Sequence, residues 1–365
     1  MNFIPLFFYS LAFFVLAIYV LIMIKAIVGM KKTTNINSSH NSSLIKVDVI
    51  IAYRNEAAHL PNIIQDLKEQ SYSNFRVIWI DDHSEDEGEQ IIKDQATTLS
   101  NVFLSSKGNG KKSAIRQAVD FADASLLLFT DADCRIPTDW VKEYKEHFEV
   151  KNSGLFFGPV VYNAKNWLQK VFALEFLSLT GTGMGLAAGG FPVYMNGANY
   201  AISNNLKSAF SAPDGHSYVS GDDVFLMHSI KKMHGKIDIV PVNKPSLTVM
   251  TDAPNTLLSF LRQRIRWGGK TVGYKDIQAF LLAFTVFLIC LFQVAALFLI
   301  RYWMGFIVLW GVKILTDFIS LSTYSARFRK KNWMWLFLPT TILYPFYIVA
   351  VSFIANFSNK TRWHK

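Results

Sequence analysis

Leu126-Leu127-Leu128-Phe129-Thr130-Asp131-Ala132-Asp133 is a short apolar run that ends in two carboxylates one residue apart. A run of this length bounded by polar residues reads as a buried strand, with the acids just beyond its carboxyl end. Three similar runs precede it, Val47 to Ala52, Phe75 to Ile80 and Val102 to Leu104, rich in Val, Ile and Phe and read as buried strands as well. Helical patterns stand between them: one after Pro61, one after Asp86, and one from Lys111 to Ala122 with Ala114, Ile115, Ala118, Val119 and Ala122 at helical spacing. Strands alternating with helices specify right-handed βαβ units and a parallel sheet. Ligands of such sheets bind beyond the carboxyl ends of the strands. Each strand here is followed by a polar cluster at that end: Tyr53-Arg54-Asn55-Glu56, Asp81-Asp82-His83-Ser84, Lys107-Gly108-Asn109-Gly110 and Asp131-Ala132-Asp133.

Two nucleotide motifs fail. No Gly-x-Gly-x-x-Gly follows the first strand, which excludes a dinucleotide site. Gly110-Lys111-Lys112-Ser113 resembles a P-loop, but Ser105 stands where the earlier glycine is required and Ser113 is displaced by one.

The acids have both ordinary and chemical readings. Asp131 and Asp133 suit a hard divalent cation that keeps positions open for a diphosphate, although an isolated Asp-x-Asp is as often a turn. Asp81-Asp82 closes its strand as an Asx-turn would. Asp223, in Ser220-Gly221-Asp222-Asp223-Val224, either caps the next helix or serves as a general base. Gln263-Arg264-Ile265-Arg266-Trp267 lies in a stretch of mixed apolar and basic residues that suits an interfacial helix.

Working outward, the 365 residues are 51% hydrophobic and only 18% charged, which excludes a disordered or coiled-coil chain. Phe3 to Ile24 carries no charge and is long enough to cross a bilayer. It lacks the features of a cleaved signal and reads as a retained anchor. Lys25, Lys31 and Lys32 follow it, so the positive-inside rule puts the next segment in the cytoplasm. Ile277 to Ile300 is a second uncharged span. Tyr302 to Leu321 is a third, with Lys313 and Asp317 one turn apart and able to pair. Trp333 to Phe357, broken by Pro339 and Pro345, either spans or bends back. Lys165 to Gly190 is apolar but carries Lys170 and Glu175, and reads as a core or membrane-surface helix. The expected plan is an anchor over residues 1–28, a cytoplasmic domain over 44–250, an amphipathic segment over 251–276 and a membrane tail of two or three spans over 277–357. Cys134 and Cys290 lie in unlike surroundings and make no disulfide framework. The net charge of +10 is concentrated at membrane flanks, which argues against a nucleic-acid partner.

Asp82, Asp131-Ala132-Asp133, Asp222-Asp223 and Gln263-x-x-Arg266-Trp267, in that order, resemble the membrane-bound family 2 glycosyltransferases of GT-A fold, from about Val47 to Trp267. The resemblance implies an α/β, Rossmann-like GT-A nucleotide-sugar transferase domain between an N-terminal transmembrane anchor and a C-terminal transmembrane helical region. It implies that Tyr53, Glu56 and Asp82 line the nucleotide, and that Lys107 and the Gly108 to Lys112 stretch form the third loop. Asp131 and Asp133 would hold Mg2+ or Mn2+, with Asp131 also facing the donor. Asp223 would be the catalytic base, with Asp222 where many members have Glu. Gln263, Arg266 and Trp267 would embrace the diphosphate and the acceptor entrance, and Asn196-Gly197-Ala198-Asn199 resembles the turn before the acceptor-side helix.

Chemically, a departing diphosphate calls for a cation and a guanidinium, here Arg266, while a base takes the acceptor's proton. A single displacement inverts the anomeric centre. The expected partners are a nucleotide-sugar donor, UDP-linked by preference, a lipid or saccharide acceptor, and the membrane, with the catalytic domain on the cytoplasmic side of a bacterial inner membrane. The few spans favour a lipid acceptor, as in ceramide glucosyltransferase-like members, over an extruded polysaccharide. A non-catalytic membrane protein with a degenerate transferase domain is the reading from another class.

Overall fold

The computed structural model describes residues 3–32, 44–211, 221–235 and 238–357; the linker at 33–43 and the basic residues Lys360, Arg362 and Lys365 lie outside them. In chain order the elements begin with α1 (Phe3–Lys31), β1 (Val47–Tyr53), α2 (Leu60–Lys68), β2 (Phe75–Asp81), α3 (Gly88–Gln95), β3 (Ser100–Ser105), α4 (Lys111–Phe121) and β4 (Leu126–Phe129). They continue through β5 (Cys134–Arg135), α5 (Trp140–Lys151), β6 (Leu155–Phe157), β7 (Val160–Asn163), α6 (Trp167–Ala188), β8 (Tyr200–Ser203), α7 (Asp222–His234), β9 (Ile239–Pro241) and β10 (Val249–Asp252). Four helices complete the described chain: α8 (Leu257–Gly269), α9 (Ile277–Ala296), α10 (Trp303–Arg327) and α11 (Phe337–Phe357). Two compact units result, an α/β unit of residues 33–163 and 194–252 and a helical unit of 1–32, 164–193 and 253–365.

The α/β unit is built on a seven-stranded sheet ordered β3-β2-β1-β4-β8-β6-β9, with a small sheet β5-β10-β7 beside it. β1 pairs in parallel with β2 from Val47↔Phe75 to Tyr53↔Asp81, and with β4 from Val47↔Leu126. The four strands expected from sequence are all present. Two features depart from expectation. β3 is not buried; it forms the sheet's edge and is half exposed. The sheet is also mixed, because β8 enters antiparallel to β4, with Tyr200 opposite Phe129. That reversal puts the turn before β8 at the edge where Asp131 leaves β4. Asp48, fully buried at the start of β1, accepts two bonds from Arg76 at 2.6 and 3.0 Å and two from the backbone N–H groups of Asp123 and Ala124, both at 3.1 Å. A buried carboxylate is tolerated only when its oxygens are satisfied in this way.

In the helical unit, four segments are long and apolar enough to cross a membrane: Pro5–Lys31, Trp167–Ala188, Ile277–Arg327 and Lys331–Ala355. The third contains both spans expected between 277 and 321, kinked at Leu299. Contrary to the reading from Lys170 and Glu175, α6 is long and apolar enough to cross a membrane, and most of it is buried inside the structure. It clusters with the helical unit although it falls inside the expected 44–250 domain. Its close approach to α1 needs glycine on both sides, since a Cβ on Gly29 would lie 1.9 Å from the Gly185 carbonyl oxygen. α1 and α10 run parallel, with Tyr9 against Gly305 and Tyr19 donating to Asp317 at 2.5 Å. Their basic ends, Lys31 and Arg327, therefore lie at the same end of the bundle. Lys313 pairs with Asp317 at 2.5 Å, as the one-turn spacing predicts.

Candidate active site

The polar loops at the carboxyl edge of the parallel strands are tied into one another. Asn55 and Ala57, after β1, donate backbone N–H groups to Ser84 Oγ at 3.1 Å and Asp86 Oδ2 at 2.8 Å, after β2. Asn55 and His83 both adopt left-handed backbone conformations, with φ of 54° and 60°, at the tips of these turns. Asn side chains tolerate that region best, and Asn55 Oδ1 in turn accepts from the Glu85 N–H at 2.8 Å. Tyr53 is buried at the end of β1, and burial followed by the charges of Asp81, Glu89 and Asp86 pushes its phenol up, so it remains an O–H donor. Glu56 Oε2 accepts from His59 Nδ1 at 2.8 Å.

Asp82 is buried, and its Oδ1 accepts the Gly110 N–H at 2.8 Å, which fixes the third loop to the second. Gly110 has φ of 89°, a conformation that glycine adopts without strain as the chain turns into α4. Lys107 is exposed, and its backbone N–H is pinned to Gln117 Oε1 at 2.8 Å. The ammonium that reaches the Asp-x-Asp belongs instead to Lys111, at the start of α4, which pairs with Asp131 Oδ1. Lys111 belongs to the Gly108 to Lys112 stretch, and its signal in the sequence is a lysine immediately after the glycine that opens a helix.

Asp131, Asp133 and Cys134 bring one oxygen or sulfur atom each within 4.8 Å of one another. Asp133 is open to solvent on one side but crowded on the others. That crowding, and then the charges of Asp131 and Glu56, raises its pKa against the opposing pull of Lys111. The Cys134 thiol is buried, and desolvation followed by the two carboxylates pushes it well up.

Asp223 lies in the first turn of α7, after Gly221 at φ of 102°. Its Oδ2 accepts the Gly197 N–H at 3.0 Å and its Oδ1 the Val224 N–H at 2.8 Å. The Asn196 to Asn199 turn therefore carries Asp223 to the edge where β4 ends. Asn199 is itself a buried hub that accepts from Trp140 Nε1 at 2.8 Å and Tyr144 OH at 2.7 Å, and donates to the carbonyls of Pro159 and Leu247, both at 2.9 Å. The side chain of Asp222 lies outside the described residues.

Gln263, Arg266 and Trp267 sit on α8, in the helical unit. Arg266 is exposed, while Gln263 and Trp267 are half-buried. The residue that sequence reasoning passed over is Arg264, the first variable position of the motif. It is buried, paired with Glu175 of α6, and stacked 4.3 Å from the Trp267 ring, so one face of that indole is already covered.

Residues 48–207 match the family model described as Glycosyl transferase family 2. The 4,4'-diaponeurosporenoate glycosyltransferase of Staphylococcus haemolyticus (strain JCSC1435) is 28% identical over 183 residues, 45% of this chain and 48% of that protein. CsbB of Bacillus subtilis (strain 168), described as a candidate glycosyltransferase, is 31% identical over 108 residues, 28% of this chain and 33% of that protein. The chain thus spans about half the length of the first of these relatives and a third of the second. Among solved structures, the mannosyltransferase PcManGT from Pyrobaculum calidifontis, in complex with GDP-Man and Mn2+, superposes with a TM-score of 0.57 at 15% identity, covering 96% of this chain and 97% of that one. Residues 48–207 are accordingly similar to the glycosyl transferase family 2 domain, and the fold is mixed α/β and GT-A-like.

Proposed function

We propose that the chain transfers a sugar from a nucleoside diphosphate sugar to a hydroxyl of a membrane lipid, with inversion at the anomeric carbon. The observation that carries this is the pair Asp131 and Asp133, gathered at the carboxyl edge of β4 within a family 2 transferase domain. The donor set fits a hard cation. Of the three side chains gathered there, the two carboxylates are the ligands Mg2+ and Mn2+ prefer over sulfur. Asp131 and Asp133 would hold the ion, which when bound would offset the negative charge growing on the departing diphosphate.

The remaining chemistry belongs to the chain's own groups. Tyr53, Glu56 and the free oxygen of Asp82 receive the nucleoside, and Lys107 and Lys111 supply positive charge on the third loop. Asp223 takes the proton of the acceptor hydroxyl as that oxygen bonds to the anomeric carbon and the bond to the diphosphate oxygen breaks. Lys31 and Arg327 at one end of the bundle support a cytoplasmic placement of the transferase domain by the positive-inside rule. The apolar helices favour a lipid acceptor over an extruded polymer.

The name of the staphylococcal relative favours one second reading, in which the acceptor is the carboxylate of an apolar acid. A carboxylate is ionised at neutral pH and needs no base, so Asp223 would then be dispensable. The test is purified protein in nanodiscs with Mn2+, UDP-hexoses or GDP-mannose, and lipid extract from cells lacking the gene. A lipid heavier by one hexose is expected. A polymer ladder would sink the lipid reading, and absence of transfer from every donor would sink the enzymatic one.

A further inference from the structure

Arg264 and Glu175 are both buried, with relative exposures of 3% and 6%. Arg264 Nε donates to Glu175 Oε1 at 3.1 Å and Oε2 at 3.0 Å, and Nη2 also bonds Oε2. Tyr347 of α11 donates to Glu175 Oε1 at 3.3 Å, so three helices meet at this pair. Arg264 Nη1 donates to Gln263 Oε1 at 2.7 Å. Above the guanidinium lie Trp267 at 4.3 Å, Phe260 at 4.6 Å and Phe176 at 5.8 Å.

A buried ion pair adds little net stability compared with apolar side chains of the same volume, because desolvation offsets the attraction. What it does supply is geometry. The guanidinium is a rigid planar fork that can bond a carboxylate on one edge, an amide on another and a ring on its face, which an ammonium cannot do together. It also carries donors only, so the Gln263 atom that faces it must be the amide oxygen. The Gln263 N–H2 group is consequently turned away from the pair, as a donor.

We infer that Arg264, held by Glu175, is a positioning residue that sets the Gln263 amide and the Trp267 ring for an oxygen-rich sugar or phosphate ligand. The role of those two side chains rests on the transferase reading above. Neither Arg264 nor Glu175 touches substrate; both act through Gln263 and Trp267.

The test uses the full-length chain in nanodiscs, labelled with 5-fluorotryptophan, with the Trp267 resonance assigned from W267F. Two variants are compared: R264K, which keeps the charge, and E175L/R264M, which replaces the pair by apolar volume. In both, the Trp267 fluorine signal is expected to shift and broaden. The apparent KM for the nucleotide-sugar donor should rise about tenfold while that for the lipid extract stays within about twofold. E175L/R264M should keep a melting temperature close to that of the parent. An unchanged Trp267 signal, or an unchanged KM for the nucleotide-sugar donor, in either folded variant would overturn the inference. If E175L/R264M does not fold, R264K decides by the same signals. If the parent protein transfers no sugar, the transferase reading falls, and the Trp267 signal still decides whether Arg264 positions the ring.

Discussion

Charged side chains serve opposite ends in the two units. In the helical unit they are enclosed and consumed by one another, Glu175 by Arg264 and Lys313 by Asp317. In the α/β unit the buried Asp48 is likewise satisfied, by Arg76, but Asp131, Asp133 and Asp223 gather at a loop edge where none is fully buried. Charge that is sealed away fixes geometry; charge left crowded and half-open is available to a ligand.

The widest separation between the two kinds of charge comes from removing one of each. Asp133→Asn should cut sugar transfer about a thousandfold by losing a cation ligand, without lowering the melting temperature, because it relieves repulsion from Asp131 and Glu56. Steady-state transfer assays and thermal unfolding on the same preparation check both halves. Lys313→Met should do the reverse. It leaves the half-buried Asp317 without its cation and should destabilise the helical unit by about 2 kcal/mol, measured by unfolding in detergent, while K313M/D317L recovers most of that loss. Asp223→Asn should lower kcat about a hundredfold for a hydroxyl acceptor with donor affinity unchanged. Full activity of that variant would transfer the assignment to the carboxylate reading.

The smallest effect concerns His147 on α5, buried with Nδ1 against the Glu143 carbonyl at 2.7 Å. Burial first, and then the charge of Lys244, lowers its pKa. The unfolded chain therefore binds this proton more readily than the folded one, so the stability it contributes is present above about pH 6.5 and is lost as pH falls below that value. Melting temperatures between pH 7.5 and 5.5 should fall less steeply in His147→Gln than in the parent.

The first four strands, the helices between them and the order of the acids were legible because each is a local pattern. A strand's run of apolar residues and an acid just beyond it need no knowledge of the rest of the chain. β3 holds only the short apolar run Val102 to Leu104, which by itself resembles a buried strand; its place at the sheet's edge among the described strands leaves it half exposed. Asp48 gave no warning in an apolar strand, since its partners come from β2 and the turn before β4. Arg264 looked like one more basic residue of an interfacial helix, although its position one turn after Phe260 put it on the buried face of α8.

The sequence by itself determined which segments are strands, which are long apolar helices, and that acids stand at the ends of β2 and β4 and the start of α7. Tertiary structure alone decided that β8 runs against β4, so that the Gly197 turn and Asp223 reach the same edge. It also decided that residues 164–193 leave the domain they interrupt and pack with the apolar helices. The physical reason is range. Periodicity and turn chemistry act over a few residues, whereas the partner that neutralises Arg264 lies 89 positions away and is found only when the chain has folded.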